Sequence, residues 1–142
     1  MNVEIVYPDK VDFATRLTVR ISDINYGAHL SNDKVLTLTH EARVQMLRKQ
    51  GLSELDIGGA GMIMVDAAVQ YLSQAYLGDE VEVSLALENF TRYTFDIYYK
   101  LVECNRKEEI ARVKTGMMCY SYEVKKARSV PEEFRKHFTS DN

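Results

Sequence analysis

Alternation between apolar and polar residues governs most of this chain. Over VDFATRLTVRI (11–21), Val11, Phe13, Leu17, Val19 and Ile21 share one parity and Asp12, Arg16, Thr18 and Arg20 take the other. That period of two predicts a half-buried strand. In NDKVLTLTHEARVQMLRKQG the period changes: Val35, Leu38, Thr39, Ala42 and Met46 recur at helical spacing, and Gly51 supplies a stop. This predicts one long helix over about 32–50. Leu36, Val44 and Leu47 widen its apolar arc, so a sheet is expected to embrace the helix.

Strand patterns then resume. MIMVDAAVQYL is rich in apolar and β-branched residues, Gly78-Asp79 reads as a turn, and EVEVSLALE alternates with Val81, Val83, Leu85 and Leu87 inward. Tyr93, Phe95, Ile97, Tyr99 and Leu101 mark the next strand. IARVKTGMMCYSYEV makes a long last one, in which Gly116 signals a bulge or a close approach. Pro131 opens a short helix, PEEFRKHF, with Glu132 and Glu133 complementing its dipole. Five strands and one buried helix between the first two define an α+β class. The 142 residues suit a single domain over 1–142.

Composition narrows the partners. A content of 46% hydrophobic and 27% charged residues is that of a globular protein, and no apolar run approaches the roughly 18 residues of a bilayer span. No membrane partner is expected. Nothing in MNVEIVYPDK argues for export, so a cytoplasmic location is expected. With 18 basic and 21 acidic residues the net charge is −3, which leaves no nucleic-acid footprint. The basic runs near 106–114 and 123–128 could still hold the phosphates of one small ligand. Cys104 and Cys119 lack metal-ligand spacing and read as reduced thiols. No metal site is expected. Gly58, Gly59 and Gly61 are not followed by the G-K-[ST] of a phosphate loop.

The chemistry concentrates in DINYGAHLSND (23–33), which joins the first strand to the long helix. Ser31, Asn32 and Asp33 are N-cap candidates. The first helical turn also presents backbone N–H groups that can polarise a carbonyl. Asp66, a charge within an apolar strand run, needs a partner or a task.

The order of these elements resembles that of the hot-dog-fold acyl-CoA thioesterases, in particular the 4-hydroxybenzoyl-CoA thioesterase-like branch. Its pattern is D-x-D-x-x-G-H-x-N-N, a helix ending in E-A-R, then an aromatic followed by G-D. Here Asp23, His29, Asn32, Glu41-Ala42-Arg43, Tyr71 and Gly78-Asp79 match it, over roughly 11–124. The resemblance implies an antiparallel sheet of about five strands wrapped around one central helix. It also implies a homodimer or dimer of dimers, and hydrolysis of an acyl-CoA or acyl-carrier thioester with no cofactor beyond the coenzyme A of the substrate.

Three departures bear on mechanism: Asn25 replaces the branch's reactive second Asp, Ala28 replaces the Gly before His29, and Ser31 replaces the first Asn. Asparagine cannot be a carboxylate base, but it can hydrogen-bond a thioester carbonyl. The resemblance therefore directs the search for an acid to Glu41, from the same or the partner chain, at the polar edge of the helical arc about 60° from Leu38, where it could reach a cleft lined by a partner subunit, and to Asp66. Asn25 and His29 complete the catalytic candidates. Tyr26 is a candidate wall of the acyl pocket, Ser31, Asn32 and Asp33 are candidates for the carbonyl, and Arg92, Arg112 and Lys114 for the phosphates of coenzyme A. A ligand-binding module without chemistry, or a hydratase or dehydratase, are the alternatives on the same fold.

Overall fold

The computed structural model describes residues 2–139. Its elements in chain order are β1 (Phe13–Thr18), α1 (Asn32–Lys49), β2 (Gly61–Tyr71), β3 (Glu80–Glu88), β4 (Thr94–Glu103), β5 (Glu108–Ser121), β6 (Lys126–Ala127) and α2 (Glu132–Thr139). The sheet is antiparallel, ordered β1-β3-β4-β5-β2, with the two-residue β6 attached to β5. This is the expected sheet about one long helix. The first strand is shorter than its alternation predicts, covering Phe13–Thr18. Beyond it Val19 exchanges backbone hydrogen bonds with Gly78 and Asp79, and the Leu30 N–H donates to the Ala75 carbonyl.

The core lies between α1 and the inner face of the sheet. Val35, Leu38, Ala42, Met46 and Leu47 of α1 are buried, as are Val81, Val83, Leu85 and Leu87 of β3, Phe95, Ile97 and Leu101 of β4, and Val113, Met117 and Cys119 of β5. Each Val, Leu, Ile, Phe or Met side chain so buried contributes about 1.5–3 kcal/mol. Burial also pushes the Cys119 thiol up to about 11, which leaves it protonated and unreactive at neutral pH. Phe134 and Phe138 of α2 are buried too, Phe134 packing beside Phe95 and Phe90.

One polar chain crosses this core. Arg43, 4% exposed, donates through Nε to Glu54 Oε2 at 2.7 Å and through Nη1 to the Tyr99 hydroxyl at 2.9 Å. Tyr99 is joined in turn to Thr115 at 2.8 Å, while His40 bonds the other oxygen of Glu54. Burial opposes ionisation of Glu54, but the Arg43 and His40 hydrogen bonds outweigh it and hold the carboxyl below its ordinary range. Glu41 stands two positions before Arg43 in the E-A-R sequence. Residues two apart on a helix point about 200° from each other, and Arg43 pairs across the following loop instead.

Strand β2 holds a bulge. Met62 and Met64 lie opposite Cys119 and Met117, but after a register shift Asp66 lies opposite Gly116, Ala68 opposite Lys114 and Gln70 opposite Arg112. Val65 is the extra residue, and the parity inverts. A Cβ on Gly116 would come within 2.5 Å of Asp66 Oδ1, so Gly116 is the close approach its position in the strand predicts, with the bulge itself on the neighbouring strand. The far edge of β2 pairs with no other strand among the described residues. Met64 and Val65, 41% and 54% exposed, lie on this strand. No helix of the described residues is long and apolar enough to cross a membrane.

Candidate active site

The loop between β1 and α1 is built around Asn25. Its side-chain Oδ1 accepts the backbone N–H of Gly27 at 2.9 Å and of His29 at 3.3 Å. Only an oxygen can accept both, so the orientation of the amide is settled and its NH₂ is the group left for a ligand. The Asn25 N–H donates to the His29 carbonyl at 2.9 Å, closing the loop. A Cβ on Gly27 would lie 3.2 Å from His29 Nδ1 and 3.5 Å from Asn25 Oδ1, so a side chain there would crowd the imidazole. Ala28 adopts φ +64°, a left-handed conformation that suits the glycine of the related pattern better than alanine.

Asn25, His29 and Asn32 line one cavity of about 280 Å³, together with Val35, Tyr71 and Ser73 among others. The Tyr71 hydroxyl donates to the Asn32 carbonyl at 2.9 Å, roofing the first turn of α1. His29 is half-buried, and neither of its ring nitrogens has a hydrogen-bond partner among the described residues. Its ring instead meets that of Tyr76 edge-on, with centroids 5.2 Å apart and planes at 74°. Among the described residues lining this cavity none is a carboxylate.

The start of the helix is less open than its sequence suggests. Ser31 occupies the N-cap position, but its hydroxyl bonds Asp33 rather than a backbone N–H. Its own N–H donates to the Asp23 carbonyl at 2.8 Å, and the Lys34 N–H to Ser31 at 3.0 Å. The Ser31 hydroxyl, with the nearby backbone N–H groups, holds the exposed Asp33 carboxyl below its ordinary range. The Ser31 N–H is therefore not available to a carbonyl, while Asn25 and Asn32 both line the cavity beside His29.

Other candidates lie elsewhere. Glu41 is exposed, accepts from Gln45 at 2.7 Å and lines a separate groove with Leu17, Leu38 and Val44. Glu41 and Asn25 thus line different cavities of the one chain. Asp66 has found its partner: Oδ1 accepts from Lys114 Nζ and from the Gly116 N–H, both at 2.9 Å. The Lys114 hydrogen bond holds the Asp66 carboxyl low, and Asp66 in turn raises the Lys114 ammonium. Lys114 also lies 3.5 Å from Asp96, so two acids occupy the charge expected for a phosphate. Arg112 is likewise engaged, with Glu109 at 2.6 Å and the Ile5 carbonyl at 3.0 Å. Tyr26 points wholly into solvent and lines none of these cavities.

Arg92 differs from these. It lines a cavity of about 470 Å³ with Arg128, Tyr93, Ser129, Gly58 and Gly59. Its guanidinium lies over the Tyr93 ring, 5.0 Å from the centroid, and neither Arg92 nor Arg128 pairs with a carboxylate among the described residues. Arg128 belongs to the basic run at 123–128, but charge alone does not distinguish it from Lys125 and Lys126.

The fold and this loop define a thioesterase-type protein: residues 19–138 match the model of the Thioesterase-like superfamily, and the chain belongs to that family. Among its relatives is the 1,4-dihydroxy-2-naphthoyl-CoA hydrolase of Synechocystis sp., 21% identical over an alignment of 126 residues, with 87% of this chain and 91% of the relative covered. The crystal structure of a 1,4-dihydroxy-2-naphthoyl-CoA thioesterase from Synechocystis matches with a TM-score of 0.81 at 20% identity, covering 90% of this chain and 96% of that one. A thioesterase-superfamily structure from Jannaschia sp. matches with a TM-score of 0.82 at 14% identity, covering 94% and 84%. The hot-dog fold is thereby shown.

Proposed function

We propose that the protein hydrolyses an acyl-CoA thioester to a carboxylic acid and free coenzyme A, with His29 as general base and Asn25 as the donor to the thioester carbonyl. The observation that carries this reading is the locked amide of Asn25 beside an imidazole whose nitrogens have no partner among the described residues, in one cavity at the start of α1. His29 takes a proton from water, and the resulting hydroxide adds to the carbonyl carbon. Asn25 Nδ2 donates to the oxygen as it gains charge. When the tetrahedral intermediate collapses, the C–S bond breaks and the thiolate takes the proton back from the imidazolium. Family membership supports the reaction class. Glu41, committed to Gln45 in another groove, has no step in this scheme.

Arg92 and Arg128 are the arginines proposed for the phosphates of coenzyme A, since Arg112 and Lys114 are already neutralised by acids. The free edge of β2, with exposed Met64 and Val65, supports a homodimer in which two such edges pair. Sedimentation equilibrium that returns the mass of one chain would remove that assembly.

A second reading, binding of an acyl-CoA or acyl-carrier ligand without hydrolysis, is favoured by the absence of a carboxylate from the lining of the Asn25 cavity. Thiol release from a panel of aliphatic and aromatic acyl-CoAs and an acyl-carrier protein separates the two. Hydrolysis predicts release by wild type, a loss in kcat of about 10²-fold or more for His29→Gln, and activity in Glu41→Gln. No release above buffer from any substrate, with calorimetric binding of an acyl-CoA, establishes the binding reading instead.

A further inference from the structure

Nothing hydrogen-bonds the His29 ring among the described residues, yet a general base must be held in one orientation to be effective. Its surroundings supply a different restraint. The backbones of His29 and Tyr76 form an isolated antiparallel bridge, and the Leu30 N–H donates to the Ala75 carbonyl at 2.8 Å. On this short pairing the Tyr76 ring meets the imidazole edge-on, a geometry favoured by the ring quadrupoles. Tyr76 does not line the Asn25 cavity. Its ring acts on the site through His29, while its hydroxyl reaches Gln74 of the cavity lining only at 3.4 Å.

Tyr76 is itself clamped. The turn after it is closed by Gly78 at φ +87°, and Asp79 grips it twice: Oδ2 accepts the Tyr76 N–H at 2.8 Å, and the Asp79 N–H donates to the Tyr76 carbonyl at 2.9 Å. The same carboxylate takes Arg106, at 3.0 Å from Nη2 and 3.3 Å from Nη1. This fork lays the guanidinium over the Tyr76 ring, 5.5 Å from its centroid. Burial opposes ionisation of Asp79, but Arg106 and the Tyr76 N–H outweigh it and hold the carboxyl below its ordinary range.

Arg106 reaches this position because a buried acid shapes the β4–β5 turn. Glu103, with no exposed surface, accepts the N–H of Asn105 at 2.9 Å and of Arg106 at 2.6 Å. The ladder therefore runs from Glu103 through the turn to Arg106, then to Asp79 and Tyr76, and ends on the imidazole.

We propose that Tyr76, clamped by Asp79 and Arg106, is the positioning residue for the His29 base, an inference that rests on the hydrolytic reading of the Asn25 cavity. The ring and not the hydroxyl makes the contact. Tyr76→Ala is therefore expected to lower kcat for the best acyl-CoA substrate at least tenfold with KM within about twofold, and Tyr76→Phe to restore kcat to within about twofold of wild type. Arg106→Gln, which withdraws the guanidinium from Asp79 and from beside the buried Glu103, is expected to lower kcat about threefold to tenfold in protein whose fold is verified by circular dichroism. Combined with Tyr76→Ala it should add little further loss, because both act through one ring.

The second readout is the proton NMR signals of the His29 ring, which the Tyr76 ring current displaces. They are expected to move in Tyr76→Ala and stay in Tyr76→Phe. A full kcat in a folded Tyr76→Ala, a rise in KM alone, or additive losses in the double variant would overturn the proposal. If wild type releases no thiol, the hydrolytic reading falls and this catalytic role with it. The NMR arm then reports whether the clamp itself exists.

Discussion

Replacing Glu54 by glutamine tests the buried chain beneath α1. Arg43 is 4% exposed and is held on one side by the Glu54 carboxylate at 2.7 Å and on the other by the Tyr99 hydroxyl at 2.9 Å. Glutamine keeps the shape and removes the charge, leaving a buried guanidinium without its counter-ion. Breaking a fully buried pair costs about 3–5 kcal/mol. The Glu54 side chain is 28% exposed, so water recovers part of the loss and about 2–3 kcal/mol is expected. For a chain of this length that corresponds to a fall in Tm of about 8 °C.

The pH dependence identifies the cause. Because the folded protein holds the Glu54 carboxyl below its ordinary range, its contribution is fully present above the unfolded value of about 4.3 and is lost as pH falls through the folded value. The gap in Tm between wild type and Glu54→Gln should therefore be constant from neutral pH to about 5 and shrink in more acidic buffer. Differential scanning calorimetry across that range measures both quantities. A gap under about 1 °C at neutral pH, or one that persists undiminished in acid, would refute the assignment of the buried charge pair as the source of the stability.

Two other outcomes follow from the same structure. Arg92→Ala combined with Arg128→Ala is expected to raise KM for acyl-CoA about tenfold or more, with little change for an acyl-pantetheine that lacks the nucleotide; equal effects on both substrates in steady-state kinetics would detach these arginines from the phosphates. Ala28→Gly removes the left-handed strain at φ +64°, worth about 1–2 kcal/mol and offset in part by the entropy of glycine, so a rise in Tm of about 2 °C is expected; a fall on thermal melting would show that the loop holds alanine there without strain.

The legible parts of this protein are those in which neighbours along the chain are also neighbours in space. The period-two runs of β3 and β4 and the helical recurrence of Val35, Leu38, Ala42 and Met46 state their inward faces directly, and the helix forms over Asn32–Lys49, one residue short of its predicted end. The crowded strand-to-helix turn is visible for the same reason, since Asn25, Gly27 and His29 bond within a few residues. What pattern cannot give is a partner brought in by the fold. Asp66 reads as a charge in need of a task until the bulge at Val65 turns it toward Lys114, 48 residues away.

Arg43 shows the same limit, because its acid lies 11 residues on, across a loop, while the sequence offers Glu41 two positions away. The G-D turn is the most instructive case. As sequence it is only a marker after an aromatic residue, with Tyr71 the aromatic that the pattern selects. In the fold Tyr71 roofs the helix start, and it is Tyr76 that the turn grips and lays against His29. If the turn works by aiming that ring, replacing Asn25 or His29 alone cannot describe the site. The base and the turn 50 residues beyond it would then form one catalytic unit, and losses at Tyr76, Asp79 and Arg106 should fail to add.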